Sequence, residues 1–149
     1  MSGVATEREL PALIVRVSGV TCAVPCVHVV ETMRPLPVVA LDTMPAYASG
    51  VATIRGVATP VVDLAALLGR TGGPPPSRFV TVRAGDRVVA IAVDEVIGLT
   101  RYAAGEFIDR PPLLSDADHP LIQSLAIKDR SLHLVLDAAR LVDTADRAW

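Results

Sequence analysis

The residues best suited to chemistry lie close together near the start of the chain. Cys22, Cys26 and His28 are separated by even numbers of residues, so on one continuous strand their side chains would point to the same face. With His119 or His133 they would supply the ligands of a tetrahedral zinc site. However, the chain has no Cys-x-x-Cys pair, and a free cysteine is most often a buried, apolar side chain. A metal or small-molecule sensor therefore remains the alternative function, and no metal or cofactor is expected.

Catalytic patterns are weak in this sequence. Cys26 and His28 would lie roughly 6–7 Å apart on a strand, too far for a nucleophile and its base. The sequence contains no G-x-S-x-G motif, no phosphate-binding glycine loop and no H-E-x-x-H motif. Asp63 and Asp137 each follow an apolar strand, and helix capping explains both carboxylates. The short helices that they would begin are Leu64–Leu68 and Ala138–Val142. These observations indicate a protein that is not an enzyme.

Composition and charge exclude several classes of partner. The 149 residues are 51% hydrophobic and 20% charged, which excludes a disordered chain. The net charge is −2, and the 14 basic residues, of which only Lys128 is a lysine, form no cluster. Because binding to nucleic acid needs such a cluster, nucleic acid is not expected as a partner. No apolar run reaches the roughly 18 residues of a membrane span and the first residues are charged, so we expect no membrane insertion and a cytoplasmic location.

The elements that would position functional side chains are mainly short strands. Valine and alanine dominate the apolar residues, and small β-branched side chains favour sheet. The proline-rich segment Gly72–Ser77 fits neither helix nor strand and marks a linker near the midpoint. The predicted strands are Ala12–Ser18, Thr21–Val30, Val57–Val62, Arg78–Ala84, Arg87–Val93, Leu121–Ile127 and Ser131–Leu136.

The two halves of the sequence resemble each other. Shifting 13–30 forward by 67 residues, or 50–68 forward by 74, superimposes identical residues and both candidate helix caps. We therefore expect an all-β fold of two small barrels of about five strands each, packed together because a lobe of this size has a marginal core alone.

The domain boundaries follow from the repeat. We expect a single domain over residues 12–143, with a first lobe at 12–70, a second at 77–143 and strands that can be exchanged between the lobes. A flexible N-terminus at 1–11 and a tail at 144–149 would flank it. The groove between the lobes is the expected place for a partner.

The halves differ at two positions where function is expected. Glu31 aligns with Gly98, and the hairpin tip Ile54-Arg55-Gly56 aligns with Lys128-Asp129-Arg130. The planar guanidinium of Arg55 suits recognition of carboxylates and carbonyls on another protein. The simpler interpretation is an ordinary surface arginine paired with Glu31, which would add little to stability.

Segment 50–69, which contains Ile-Arg-Gly followed by Pro-Val-Val-Asp-Leu, resembles the signature of the CheW family of chemotaxis adaptors. Val27–Leu36, Arg78–Val96 and Leu121–Val142 resemble other parts of the family pattern, so the likeness covers about 12–142. The resemblance implies two packed SH3-like five-stranded barrels without catalytic activity. It also implies an adaptor that links the cytoplasmic tip of a chemoreceptor to the regulatory domain of a CheA-type histidine kinase.

The resemblance also implies a set of receptor-binding residues in the groove. Thr53 stands where the family usually has asparagine, and Ala58 stands where a larger aliphatic residue is common. These departures leave open a divergent scaffold for a non-flagellar chemosensory output, or a coupling module for a partner other than a kinase. The implied binding residues are Val29, Glu31, Gly50, Thr53, Ile54, Arg55, Gly56 and Ala58.

Overall fold

Two curved β-sheets with two short helices form the molecule in a computed structural model, which describes residues 9–108 and 121–147. The strands of the first half are β1 (Leu10–Val17), β2 (Val20–Pro25), β3 (Val29–Met33), β4 (Ala48–Ile54) and β5 (Val57–Asp63), followed by helix α1 (Leu64–Leu67). Those of the second half are β6 (Arg78–Ala84), β7 (Arg87–Val93), β8 (Glu95–Tyr102), β9 (Phe107–Ile108), β10 (Ile122–Lys128) and β11 (Ser131–Leu136), followed by helix α2 (Ala138–Arg147). The mainly β fold class is confirmed.

Each sheet combines strands from both halves of the sequence. The six-stranded sheet has the order β8-β1-β2-β11-β10-β9, and the five-stranded sheet has the order β3-β6-β7-β5-β4. Most neighbours are antiparallel, but β2 pairs with β11 and β5 pairs with β7 in parallel. The sequence lobes 12–70 and 77–143 therefore do not correspond to the two sheets. The sixth strand of this sheet is the two-residue β9, whose pairing partner among the described residues is β10.

The internal repeat extends to details of strand register. Val30 in β3 and Ile97 in β8 are each the unpaired residue of a β-bulge, and they are 67 residues apart. Ser49 in β4 and Gln123 in β10 are likewise the unpaired residues of β-bulges, and they are 74 residues apart. Because a bulge re-aims the side chains beside it, equivalent positions in the two sheets are directly comparable.

The strand predicted over Thr21–Val30 is wrong as a single element. Strand β2 ends at Pro25, a short 3-10 helix covers Cys26–His28, and β3 starts at Val29 in the other sheet. Proline has no N–H to donate and a fixed φ, here −53°, so it suits the end of a ladder. The turn after it carries the chain from one sheet to the other.

Three hydrophobic clusters hold the sheets. The largest lies between them and includes Val15, Cys22, Val62, Ile91 and Leu141. A second lies inside the six-stranded sheet around Tyr102, and a third lies inside the five-stranded sheet around Phe79. An interior cluster in each curved sheet is consistent with the expected pair of small barrels.

Both predicted helix caps are present. The Asp63 carboxylate accepts a hydrogen bond from the amide of Ala65 (3.0 Å), and the Asp137 carboxylate accepts one from the amide of Arg140 (3.1 Å). Helix α2 continues to Arg147, beyond the expected domain end at 143, because its apolar side packs into the core and residues as late as Ala145 are buried. The remaining residues of the expected terminal segments, 1–8 and 148–149, lie outside the described part of the chain.

Candidate partner-binding site

The tip of the β4–β5 hairpin carries the arginine that the sequence singled out. Ile54 pairs with Val57, so the loop consists of Arg55 and Gly56 alone. Their φ angles are 54° and 77°, as the two-residue turns that match strand twist require. Glycine, asparagine and aspartate adopt this left-handed conformation readily, whereas arginine does so against its preference. The turn projects the Arg55 side chain toward strand β3.

Arg55 and Glu31 form a bidentate ion pair. The Arg55 Nη2 group donates to Glu31 Oε1 at 2.7 Å, and Arg55 Nε donates to Oε2 at 3.1 Å. The Arg55 side chain is 78% exposed and that of Glu31 is 26% exposed. The hydrogen bonds from Arg55 hold the pKa of the Glu31 carboxyl below its usual value of 4.5. Since a guanidinium has five N–H donors, Arg55 keeps donors that face solvent and can reach a partner.

A threonine from the second half of the sequence fixes Glu31. The Glu31 amide donates to Thr81 Oγ1 at 3.1 Å, and the Thr81 hydroxyl donates to the Glu31 carbonyl at 3.3 Å. Both contacts lie at the bulge of Val30, where the regular ladder between β3 and β6 is interrupted. The backbone of Glu31, the residue whose carboxylate pairs with Arg55, is thus held by a contact between the two halves.

A shallow depression of about 150 Å³ lies beside this ion pair. Ile54 is buried and anchors the hairpin tip, whereas Val57 on the lining and Val30 next to Glu31 are exposed. Apolar surface around an oriented guanidinium can bury a helix or strand of another protein and fix its direction. The lining residues are Glu31, Ile54, Arg55, Val57, Thr59, Thr81, Arg83 and Val88.

The residues expected in the groove fall into separate places. Glu31, Ile54 and Arg55 line the depression, and Gly56 completes the turn. Thr53 and Ala58 are register partners, both exposed, and strand alternation places them on the face opposite Ile54.

Val29 and Gly50 contribute to packing in this structure. Val29 packs against the central hydrophobic cluster. Gly50 is buried with φ of 143°, and a Cβ added there would stand 2.2 Å from the carbonyl oxygen of Val39. That close approach of two backbone segments accounts for glycine at this position.

The sequence analysis missed the other wall of the depression. Thr81 and Arg83 come from β6 and Val88 from β7, both in the second half. The internal repeat was the available signal for this wall, because it aligns Arg83 with Arg16. Nothing in the local pattern indicates that β3 pairs with β6.

The cysteines and histidines of the sensor alternative do not converge as that hypothesis needs. Cys22 is buried in the central cluster, where burial raises the pKa of its thiol to about 12, and Cys26 lies in the 3-10 turn. The His28 Nδ1–H donates to the Arg83 carbonyl at 3.1 Å. His133 is buried 2.5 Å from the Tyr102 hydroxyl. The expected shared strand face is therefore wrong, because the chain turns at Pro25.

The described residues contain no group of three or more histidine, cysteine, aspartate or glutamate side chains placed to hold a metal ion. His119 lies outside the described residues. Within the same residues, no helix has the length and apolar character needed to cross a membrane.

Comparison with known proteins identifies relatives over almost the whole chain. The family model described as "CheW-like domain" matches residues 11–146. A probable chemotaxis protein CheW of Rhizobium etli is 31% identical over 145 residues, which is 95% of this chain and 92% of that protein. The chemotaxis protein CheW of Rhizobium meliloti is 32% identical over 102 residues, or 66% of each chain.

The fold also matches a solved structure. The crystal structure of the scaffolding protein TtCheW from Thermoanaerobacter tengcongensis superimposes with a TM-score of 0.77 at 17% identity, covering 86% of this chain and 88% of that one. At this identity the match shows a shared fold.

Proposed function

This chain belongs to the family of CheW-like domains, and from that premise we propose that it is a non-catalytic chemosensory adaptor that links a chemoreceptor to a CheA-type histidine kinase. The depression beside Arg55 binds the helical cytoplasmic tip of the receptor. A second surface binds the regulatory domain of the kinase. The adaptor works at the cytoplasmic side of the membrane, to which its partners attach it.

The ion pair between Arg55 and Glu31 is the observation that carries this proposal. Water screens an ion pair as exposed as this one, so it adds little to folding stability. The turn also holds Arg55 at positive φ, a conformation that arginine disfavours, as the equivalent hairpin of the other sheet does with Arg130. Stability therefore gives no reason for an arginine here, and recognition of a partner does.

The mechanism we propose is positional. Burial of Val30 and Val57 against apolar residues of the receptor supplies affinity, because both side chains are exposed in the free protein. The guanidinium donors that Glu31 leaves unused bond to carbonyl or carboxylate oxygens of the receptor and set its orientation. The signal passes as a change in the relative position of receptor and kinase.

Charge reversal at Arg55 tests the proposal. We expect Arg55→Glu to reduce binding to the receptor at least tenfold, because it removes the donors and places two carboxylates together. The thermal midpoint should stay within about 2 °C, since exposed substitutions change stability little. The measurement is co-sedimentation with membranes that carry a chemoreceptor from the same genome, with and without the kinase. Normal sedimentation of this variant would refute the site.

Two further variants separate recognition from structure. Arg130→Glu reverses a charge at the tip of the equivalent hairpin in the other sheet and should leave receptor binding unchanged. The double variant Glu31→Arg with Arg55→Glu restores an ion pair of opposite polarity. If this variant binds the receptor normally, the pair is structural; continued loss of binding supports recognition by the guanidinium at position 55.

A further inference from the structure

The six-stranded sheet contains a counterpart of the depression beside Arg55. Each of the eight residues that line the first depression has an equivalent, by the offsets of 67 and 74, among the residues that line the second. Arg16 replaces Arg83, Gly98 replaces Glu31, and Asp129 replaces Arg55. We name this second depression the Arg16 cleft.

The Arg16 cleft is open where the first depression is bridged. Its volume is about 310 Å³, compared with about 150 Å³ for the first. The ion pair between Arg55 and Glu31 spans the gap between β3 and the tip of the β4–β5 hairpin. In the Arg16 cleft the strand position is Gly98, which has no side chain, so this position supplies no partner for the tip. The space that the Glu31 side chain fills in one sheet is therefore free in the other.

Arg16 gives the Arg16 cleft a loosely held cation that an anion can reach. Arg16 and Lys128 line it, and Asp129 is the one carboxylate among its lining residues in the described part of the chain. Lys128 Nζ is held by both carboxylate oxygens of Glu106, at 3.1 and 3.0 Å. Arg16 contacts Glu95 at 3.8 Å, which is beyond hydrogen-bonding distance. The Arg16 guanidinium is thus able to exchange this loose contact for a bidentate contact with another carboxylate.

A buried histidine adds a donor to the Arg16 cleft. The His133 ring lines it, and its Nδ1 is 2.5 Å from the Tyr102 hydroxyl. Burial raises the pKa of Tyr102 to about 12, so this hydroxyl keeps its proton and can donate it to Nδ1. The neutral ring then carries its own proton on Nε2, which is the nitrogen left to donate to a ligand.

The rim of the Arg16 cleft is apolar. Leu99 lines it with 76% of its surface exposed, and Ile97, the bulged residue of β8, is also exposed. A small free anion would leave these side chains in water, whereas a protein segment with aliphatic residues would cover them.

We propose that the Arg16 cleft is a second partner-binding site, which accepts a glutamate or aspartate side chain flanked by aliphatic residues on a segment of another protein. The incoming carboxylate enters the space that Gly98 leaves free and bonds to the Arg16 guanidinium. The aliphatic neighbours cover Ile97 and Leu99. This site is separate from the depression beside Arg55 and does not depend on the receptor contact proposed there.

A short peptide tests the Arg16 cleft directly. Acetyl-Leu-Glu-Leu-amide is titrated into the 15N-labelled full chain, and amide shifts are followed by NMR. We expect saturable shifts at Gly98, Leu99 and Ser131, and at least fivefold weaker binding of acetyl-Leu-Gln-Leu-amide. Raising the salt concentration should weaken the glutamate peptide selectively, because only its carboxylate pairs with a cation.

Variants assign the contact to Arg16. Arg16→Gln should weaken the glutamate peptide at least fivefold, and it should leave the glutamine peptide unchanged. Arg78→Gln removes the same charge from an exposed position outside both depressions and should have no effect. The proposal is overturned if the shifts centre on Gly56, if acetyl-Leu-Arg-Leu-amide binds as tightly as the glutamate peptide, or if no peptide causes saturable shifts.

Discussion

Arg55 and Asp129 occupy equivalent hairpin tips, and both have positive φ. The turn backbone is therefore common to the two sheets, while the side chains and their charges differ. In one sheet the tip residue pairs with a carboxylate, whereas in the other the equivalent strand position is Gly98, which leaves an opening. The repeat supplies an internal comparison, which separates the shared turn backbone from the side chains that differ between the two sheets.

The pair of His133 and Tyr102 is a second residue-scale feature with a measurable consequence. Burial lowers the pKa of His133 below its usual value of 6.5, an effect to which Lys128 adds, while Asp129 and Glu106 oppose it. The unfolded chain therefore takes up a proton near pH 6.5 that the folded protein does not. The free energy of unfolding should keep its full value above this pH and decrease as the pH falls below it. The total loss is ~1.4 kcal/mol for each unit by which the His133 pKa differs between the folded and unfolded states.

Urea unfolding between pH 7.5 and 5.5 tests this prediction. The wild type should lose stability over this interval, and His133→Gln, whatever its stability at pH 7.5, should show a smaller slope. The carboxyls of Glu31 and Glu106, whose pKa values lie below 4.5, change charge at lower pH and do not obscure the comparison. Parallel pH profiles for the two proteins would contradict the assignment to His133.

At the scale of elements, local signals define several of the strand and helix ends. Arg78–Ala84, Arg87–Val93 and Ser131–Leu136 match their predicted bounds, because alternating or continuous apolar runs end at clear turns. Both helices begin at an aspartate cap. Strands β3, β4, β8 and β9 were not predicted as separate elements, since each needs a partner strand from elsewhere to define it.

The cap of helix α1 gives a prediction at this scale. Asp63→Ala should lower the free energy of unfolding by about 1 kcal/mol, because the amides of Ala65 and Ala66 both lose their carboxylate acceptor. Asp63→Asn, which keeps an acceptor oxygen, should recover most of this loss. Chemical denaturation of the three proteins measures both effects. Equal stabilities would show that the carboxylate does not act as a cap.

At the scale of the whole molecule, strand exchange links the two halves. The five-stranded sheet takes β3, β4 and β5 from the first half and β6 and β7 from the second, and the six-stranded sheet mixes them in the same way. The central cluster likewise draws residues from both halves. Neither half on its own can complete a sheet or cover that cluster.

Dividing the chain within the Gly72–Ser77 segment tests this dependence. Fragments 1–73 and 74–149 should each lack a cooperative thermal transition by circular dichroism when alone. When the two fragments are mixed and refolded together, they should show a cooperative transition, because each strand can then pair with its neighbour from the other fragment. A cooperative transition in either isolated fragment would show that the sequence lobes fold independently.

The sequence by itself determined the elements that depend on neighbouring residues: the strands with clear turns, both helix caps, the internal repeat, and the contrast of Arg55 and Glu31 with Asp129 and Gly98. The tertiary structure decided which strands pair, that the chain crosses between sheets after Pro25, and which side chains complete the two depressions. The reason is physical. A strand has the same apolar pattern whichever neighbour satisfies its backbone hydrogen bonds, so only the assembled core selects the partner.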